Sequence, residues 1–383
     1  MSEINSSNFK KEHGDLAPDL VGVTELTSPY FFVPPSGDTA SRPEDCEPGT
    51  LRFNTDHGSL EIFRGKTIGW EQIQRREGQY LGGGTGSNTG VGVRAVISVG
   101  QRNPTPYNTD IDFITISTLG DAQDFGNAGV SRDKLGSGSD RTRGLFIGGE
   151  GVTDTIEFIT FASTGNATDF GNIGHGGQMR FCAGCSSSTR TIFGGGYTGP
   201  AAYNTLEYVT TQSTGNGVDY GDLLEQTNAP AACSSSTRGI FAGGTTHNYS
   251  ANKNTIQFFT MSSTGNTTDF GDLTQAKSKL SGASNSTRGL FFGGDAPSSV
   301  NDIDFITIAT TGDATDFGDL ITARGRPCAA ASSTRGITEG GTPGTNSIEF
   351  VEIATTGNAV DFGDGNGSGN SGAAACSNGH GGL

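Results

Sequence analysis

Asp-Phe-Gly stands at residues 124–126, 169–171, 269–271, 316–318 and 361–363, and Asp-Tyr-Gly at 219–221. Successive copies are 45, 50, 50, 47 and 45 residues apart. A period of 45–50 residues is the size of one four-stranded propeller blade. Each period holds four short strand candidates. The first is small and polar, as in "PAACSSSTR" (230–238). The second is apolar and ends in a glycine pair, as in "GLFIGG" (144–149). The third alternates, as in "TIEFIT" (155–160), and Asp-Phe-Gly belongs to the fourth. A Thr-Gly-Asn or Thr-Gly-Asp turn joins the last two, with Gly165, Gly265 and Gly312 suited to positive φ.

The third strand says how the copies meet. In "NTIQFF" (254–259), Ile256 and Phe258 face one way and Gln257 and Phe259 the other. Both faces are apolar, so each copy is expected to be sandwiched between two neighbours. In the first strand, the position four residues before each Ser/Thr-Thr-Arg turn is small: Gly138, Cys185, Cys233, Ala283, Ala330 and, by context, Cys376. That is expected where inner strands converge. The first period has strands two to four, with strand two placed at "GQYLGGG" (78–84), and residues 371–379 form a first strand with nothing after it. Joining them completes six blades and removes the open edges. The expected fold is all-β: a six-bladed β-propeller over 76–383, closed by the C-terminal strand. It follows an extended arm at 1–40 and a small β-meander at 41–75, in which "TLRFNT" and "LEIF" form a hairpin.

This strand order resembles the kelch-type β-propeller over about residues 78–383. Phe or Tyr replaces the usual Trp of the fourth strand, and Thr338-Glu339 precede the glycine pair of the sixth copy. The form in residues 155–171 resembles repeats in virion structural proteins of marine and cyanobacterial tailed phages. The 41–75 segment resembles a short module of phage fibre and baseplate-associated proteins, through Arg42, Pro43, residues 49–56 and 60–63, Gly69, Trp70 and Ile73. The resemblance implies a virion structural protein, a tail fibre or peripheral decoration, assembled in the bacterial host cytoplasm. Its N-terminal arm would attach to other virion proteins, with Tyr30, Phe31 and Phe32 as the attachment cluster. Its propeller would face a host-surface glycan or another virion protein. A structural collar or spacer, and a carbohydrate-active enzyme, are the alternatives. A homo-oligomer is compatible with the resemblance, although no coiled-coil heptads are visible.

Charge and composition narrow the chemistry. With a formal net charge of −16, no nucleic-acid partner is expected. No run of 18 apolar residues exists, so no membrane insertion is expected. Residues 1–20 lack an apolar h-region, so no secretory signal is expected. The six Cys do not form a disulfide framework. Neither the five His nor Cys182-Ala-Gly-Cys185 complete a metal site. No cofactor, no catalytic residue and no enzyme activity are expected.

Two repeated sets, Arg143, Arg190, Arg238, Arg288 and Arg335, and Asp112, Glu157, Glu207, Gln257, Asp304 and Glu349, read as bonds that join neighbouring strands. The alternative is an anion-binding ring. The turns after strands one and three are nearly constant. The other connections vary and carry the candidate ligand residues Tyr107, His175, Tyr197, Tyr203, His247 and Tyr249. The connection 84–108 reads as one long functional loop.

Overall fold

A computed structural model describes residues 35–43, 46–56, 59–67, 69–72, 93–98, 100–101, 107–151, 154–175, 177–199, 201–247, 249–366 and 370–383. Tyr30, Phe31 and Phe32 lie outside the described residues, as do residues 78–84. The chain divides into two units, Met1–Glu77 and Gly78–Leu383. Among the described residues all regular structure is strand.

In the first unit, Leu51–Asn54 and Ser59–Phe63 pair antiparallel, and Trp70–Gln72 adds to the second of them. A further strand, Ser36–Gly37, pairs parallel with Leu51–Asn54. The end of the expected arm is therefore part of this sheet, and the meander is four-stranded. Arg42 is ion-paired with fully buried Glu61, which also accepts a 2.7 Å hydrogen bond from Asn54. Trp70 meets Phe63 in a tilted ring contact at 5.5 Å and donates to the Pro43 carbonyl at 3.2 Å. The spaced motif thus consists of residues that hold one another.

The second unit contains six four-stranded antiparallel sheets. From inner to outer strand, the first is Ala374–Ser377, Arg94–Ser98, Asn108–Thr115 and Gln123–Arg132. The second is Gly136–Ser139, Arg143–Ile147, Thr155–Thr160 and Thr168–Asn172. The third to sixth begin at the inner strands Ala183–Ser186, Ala231–Ser234, Ser281–Ser284 and Cys328–Ala331. The strand contributed by residues 374–377 does join the first period, pairing Cys376 with Val96. Its partner is Arg94–Ser98, not 78–84. Residues 94–98 lack the glycine pair that follows the five counterpart strands, so the sequence pattern does not mark them as a strand. Residues 84–108 are consequently not one long connection.

Asp-Phe-Gly is a β-bulge. In the second sheet Ile156 pairs with Gly171 and Glu157 with Asp169, leaving Phe170 as the extra residue. The same register shift recurs in all six sheets. Phe170 is buried and meets Phe158 edge-on at 6.1 Å. Gly171 has φ +147°, and a Cβ there would lie 2.4 Å from the Gly215 carbonyl of the next sheet's turn. Only glycine fits both conditions. The turn residue after that glycine closes the joint: the Asn216 side chain accepts from the Asn172 amide at 3.0 Å. Equivalent bonds use Asn166, Asn266, Asp313, Asn358 and Asp121, the last joining the sixth sheet to the first.

Six hydrophobic clusters occupy the six spaces between successive sheets. One joins Ile256 and Phe270 of the fourth sheet to Phe291 and Ile306 of the fifth. Another joins Ile337 and Phe362 of the sixth to Ala95 and Ile114 of the first. Ile256 and Phe259 do enter different clusters, as their alternation requires. Five of the six small first-strand residues, all but Gly138, lie in these clusters: Cys233 sits where a Cβ on Gly289 of the next sheet would come within 2.7 Å of its sulfur. Their size is set by the approach of the neighbouring sheet. Each inner strand packs beside the next, and the sixth beside the first.

Candidate functional site

The six inner strands line a cavity of about 140 Å³. Its two ends are built differently. Where the inner strands finish, serines link one strand to another: Ser139 donates to the Ser377 carbonyl, Ser284 to Ser234 and Ser234 to Ser186, at 2.7–2.8 Å. Segment 378–383 is fitted against this end. His380 Nε2 lies 2.8 Å from the Ser139 carbonyl, and Gly381 donates to the Ser284 carbonyl at 2.8 Å. Enclosure pulls the His380 imidazole below its ordinary pKa, so the neutral ring is favoured.

Where the inner strands begin, each sheet forms an isolated bridge between the incoming connection and the loop after its second strand. The bridges are Gln101–Ser371, Asp133–Glu150, Arg180–Tyr197, Asn228–Thr245, Ser278–Asp295 and Gly325–Thr342. The residue after the incoming bridge position is left-handed in every sheet: Lys134, Phe181, Ala229, Lys279, Arg326 and Gly372, with φ of 53–68°. These residues are bonded to one another through their backbones. Phe181 N–H donates to the Lys134 carbonyl, Lys134 to Gly372, Gly372 to Arg326, Arg326 to Lys279 and Lys279 to Ala229, at 2.6–3.3 Å. Five non-glycine residues in this conformation mark a strained segment.

The variable loops bring their aromatic residues onto this end. Tyr197 stacks on Phe181 at 6.2 Å and meets Tyr249 at 6.3 Å and His247 at 6.1 Å. Tyr249 also meets Phe181 edge-on at 6.5 Å. Four cations stand over these rings. Lys134 and Arg326 both lie 5.3 Å from the Phe181 centroid, Arg180 5.7 Å from Tyr197, and Lys279 5.0 Å from Tyr249. Glu150 is ion-paired with Lys134 and, at 3.0 Å, with Arg180. Asp295 pairs with Lys279 at 2.8 Å. Arg326 is in no ion pair among the described residues. Burial pushes the Asp133 carboxyl up to about 6 despite the nearby Lys134.

The structure thus unites three of the expected ligand residues, Tyr197, His247 and Tyr249. His175 and Tyr203 form a separate pair, with rings 4.8 Å apart, and His175 Nδ1 lies 2.5 Å from buried Glu207. Tyr107 is exposed and stands beside Gly151. Sequence reasoning missed Lys134, Phe181, Lys279 and Arg326. The available signal was position: each stands two residues before its first strand, where the six copies read Lys, Phe, Ala, Lys, Arg and Gly.

The two repeated sets do not pair with each other. Each arginine stacks on the third-strand ring of its own sheet, from Arg143 over Phe158 at 4.4 Å to Arg288 over Phe305 at 5.0 Å. Its guanidinium also reaches the carbonyls of a neighbouring sheet, as Arg238 does with Ile308 at 3.0 Å. Arg94 over Phe113 is the sixth member. The third-strand acids instead hold the connections: Glu157 binds Arg132 at 2.8 Å, Asp304 binds Lys277 at 2.9 Å, and Glu349 pairs with Arg324. The Cys182 and Cys185 thiols are pushed up to about 12 by burial, which leaves no thiolate at neutral pH. Among the described residues no group of three His, Cys, Asp or Glu side chains could hold a metal. No family model matches this chain, and no curated protein matches it.

Proposed function

We propose that residues 78–383 form a closed six-bladed kelch-like β-propeller, and that the protein is a phage virion structural protein that binds without catalysis. On this reading it is a tail fibre or peripheral decoration. Its N-terminal region attaches to other virion proteins, and the variable-loop end of the propeller faces a host-surface glycan. The propeller reading is supported by the cyclic order of sheet-to-sheet bonds, which returns from Asp364 to Asp121. The virion reading is supported by the resemblance of the repeats and of the 41–75 module.

One observation carries the binding reading: Tyr197, His247 and Tyr249, from two different loops, gather with Phe181 at one end of the cavity. Aromatic faces combined with polar edges are what sugar recognition needs. The recurring acids are already committed to ion pairs and backbone bonds, which leaves them poorly placed as a catalytic pair. The test is to label purified phage particles with an antibody against the chain and image them by electron microscopy. Label on fibres, tail or capsid projections is expected. Absence of label from intact and opened particles would overturn the virion reading.

A further inference from the structure

We infer that the variable-loop end of the cavity is a binding site for a carboxylated sugar, with Arg326 as the residue that holds the carboxylate; this rests on the glycan-binding reading above. Three independent features converge on it. The first is charge. The chain carries −16 overall, yet Lys134, Arg180, Lys279 and Arg326 crowd onto one set of rings. Glu150 and Asp295 are taken up by the other three cations. Arg326 lies near Asp133 and Glu150 but, among the described residues, has no carboxylate within ion-pair distance and a ring face beneath it, so its planar donor fork is open to a ligand.

The second feature is unmet polarity. Asn228 is completely buried beside Tyr249, whose hydroxyl is a polar neighbour, and its side-chain amide makes no hydrogen bond of good geometry with it. His247 Nδ1 is likewise buried without a partner. Buried polar atoms without partners cost stability. These three atoms lie under the aromatic cluster, so a sugar hydroxyl, which both donates and accepts, would meet them where it displaces the Tyr249 or His247 side chain.

The third feature is strain. Phe181, Lys279 and Arg326 hold left-handed backbones at φ 53–58°, a cost that glycine would avoid. Gly372 shows that glycine serves at the equivalent position. Large side chains retained there are explained by what they do at the surface. An extended acidic peptide fits less well, because it needs free backbone groups to pair with. The backbone N–H groups of Lys134, Phe181, Lys279, Arg326 and Gly372 are already bonded to one another's carbonyls.

The experiment is titration of the full chain with polygalacturonate, neutral galactan and poly-glutamate at low and physiological salt. Arg326→Gln and Tyr249→Ala are compared with the unaltered chain, and circular dichroism checks their folding. Polygalacturonate is expected to bind more tightly than galactan, and each variant to lose about tenfold in affinity, worth 1.4 kcal/mol. Equal binding of galactan, or an Arg326→Gln variant that is folded and binds normally, would overturn the carboxylate assignment and leave glycan binding standing. Equal or tighter binding of poly-glutamate would make the partner an acidic peptide. No binding of either glycan would overturn the glycan-binding reading itself.

Discussion

At one end of the six inner strands five of the six copies carry the same serine, with Ala331 in the sixth; at the other end the copies diverge. Ser139, Ser186, Ser234, Ser284 and Ser377 recur where the strands finish, and their neighbours are satisfied by repetition alone. Lys134, Phe181, Ala229, Lys279, Arg326 and Gly372 occupy one structural position where the strands begin, with one backbone conformation and five different side chains. A repeat array needs its copies alike wherever they touch. Differences collect where the neighbour is not another copy. The contrast therefore separates residues that build the array from residues free to meet something else, and it can be tested by the cost of changing each.

The largest cost is expected in the buried connections. Arg132 and Glu157 are both nearly inaccessible, and Arg132 also donates to the Gly148 and Thr155 carbonyls at 2.9 and 2.7 Å. Arg132→Ala would strand Glu157 without its partner, at about 3–5 kcal/mol. Urea unfolding at neutral pH measures this through the transition midpoint. If Tyr249→Ala costs as much, the two ends do not differ in kind and the contrast fails.

Next comes the bulge glycine. At Gly271, φ is +147° and an added Cβ would lie 2.5 Å from the Gly312 backbone. Gly271→Ala should cost about 2–3 kcal/mol, the scale of a forced backbone outlier. Gly199 lies in a variable loop with nothing within 4 Å of its added Cβ. Gly199→Ala is expected to stay within about 0.5 kcal/mol, as surface changes do. Similar midpoints for the two variants would refute the assignment of Gly271 to the sheet-to-sheet joint.

These two cases show what the sequence made legible. Period, strand order and two-sided burial were readable because every copy carries them in register, as Ile256 and Phe259 do. The bulge was not readable, since Asp-Phe-Gly looks the same in a regular strand. Arg94–Ser98 was missed because it ends in Ser-Val-Gly where the other copies have a glycine pair. At the site, aromatic loop residues stood out by type, and Tyr197, His247 and Tyr249 are in contact range of one another's cluster. Lys134, Lys279 and Arg326 were hidden because a lone cation before a strand has no distinguishing neighbour in the chain. Their common sequence feature is only a place two residues before a first strand, and the left-handed φ there is revealed by the backbone alone.

A smaller effect is expected at Asp133, whose carboxyl burial pushes up to about 6 against an ordinary 3.8. Its ionised form is the disfavoured one in the folded state. The penalty builds as pH rises from about 4 to 6 and is constant above that, because the unfolded chain ionises first. Asp133→Asn should therefore gain about 1 kcal/mol at pH 7.5, a value discounted for partial solvent screening, and almost nothing near pH 4. The same substitution removes a negative charge beside Lys134, 3.6 Å away. Binding of an acidic sugar at pH 7.5 should accordingly strengthen, whereas a gain in stability independent of pH would show that Asp133 is not the group that titrates.

The sharpest form of the contrast is a substitution whose two effects have opposite signs. Arg326 has φ +58°, where a side chain costs about 1 kcal/mol relative to glycine. Its guanidinium has no close ion pair to lose among the described residues, and beyond a longer-range attraction to Asp133 and Glu150 its main contact is the 5.3 Å approach to Phe181, worth about 0.5–1 kcal/mol at a partly exposed site. The two terms nearly cancel, so Arg326→Gly should leave the unfolding midpoint within about 0.5 kcal/mol of the original. Affinity for polygalacturonate should nevertheless fall by about tenfold, the same loss expected of Arg326→Gln. Arg238→Gly is the matched change in the repeated set. It has no strain to relieve, and it loses both its stacking on Phe258 and its 3.0 Å bond to the Ile308 carbonyl. It should cost about 1–3 kcal/mol while leaving sugar binding intact in the folded fraction. If Arg326→Gly instead destabilises the chain as much as Arg238→Gly, the arginine belongs to the scaffold, and the strain at the lead-in positions needs a structural explanation.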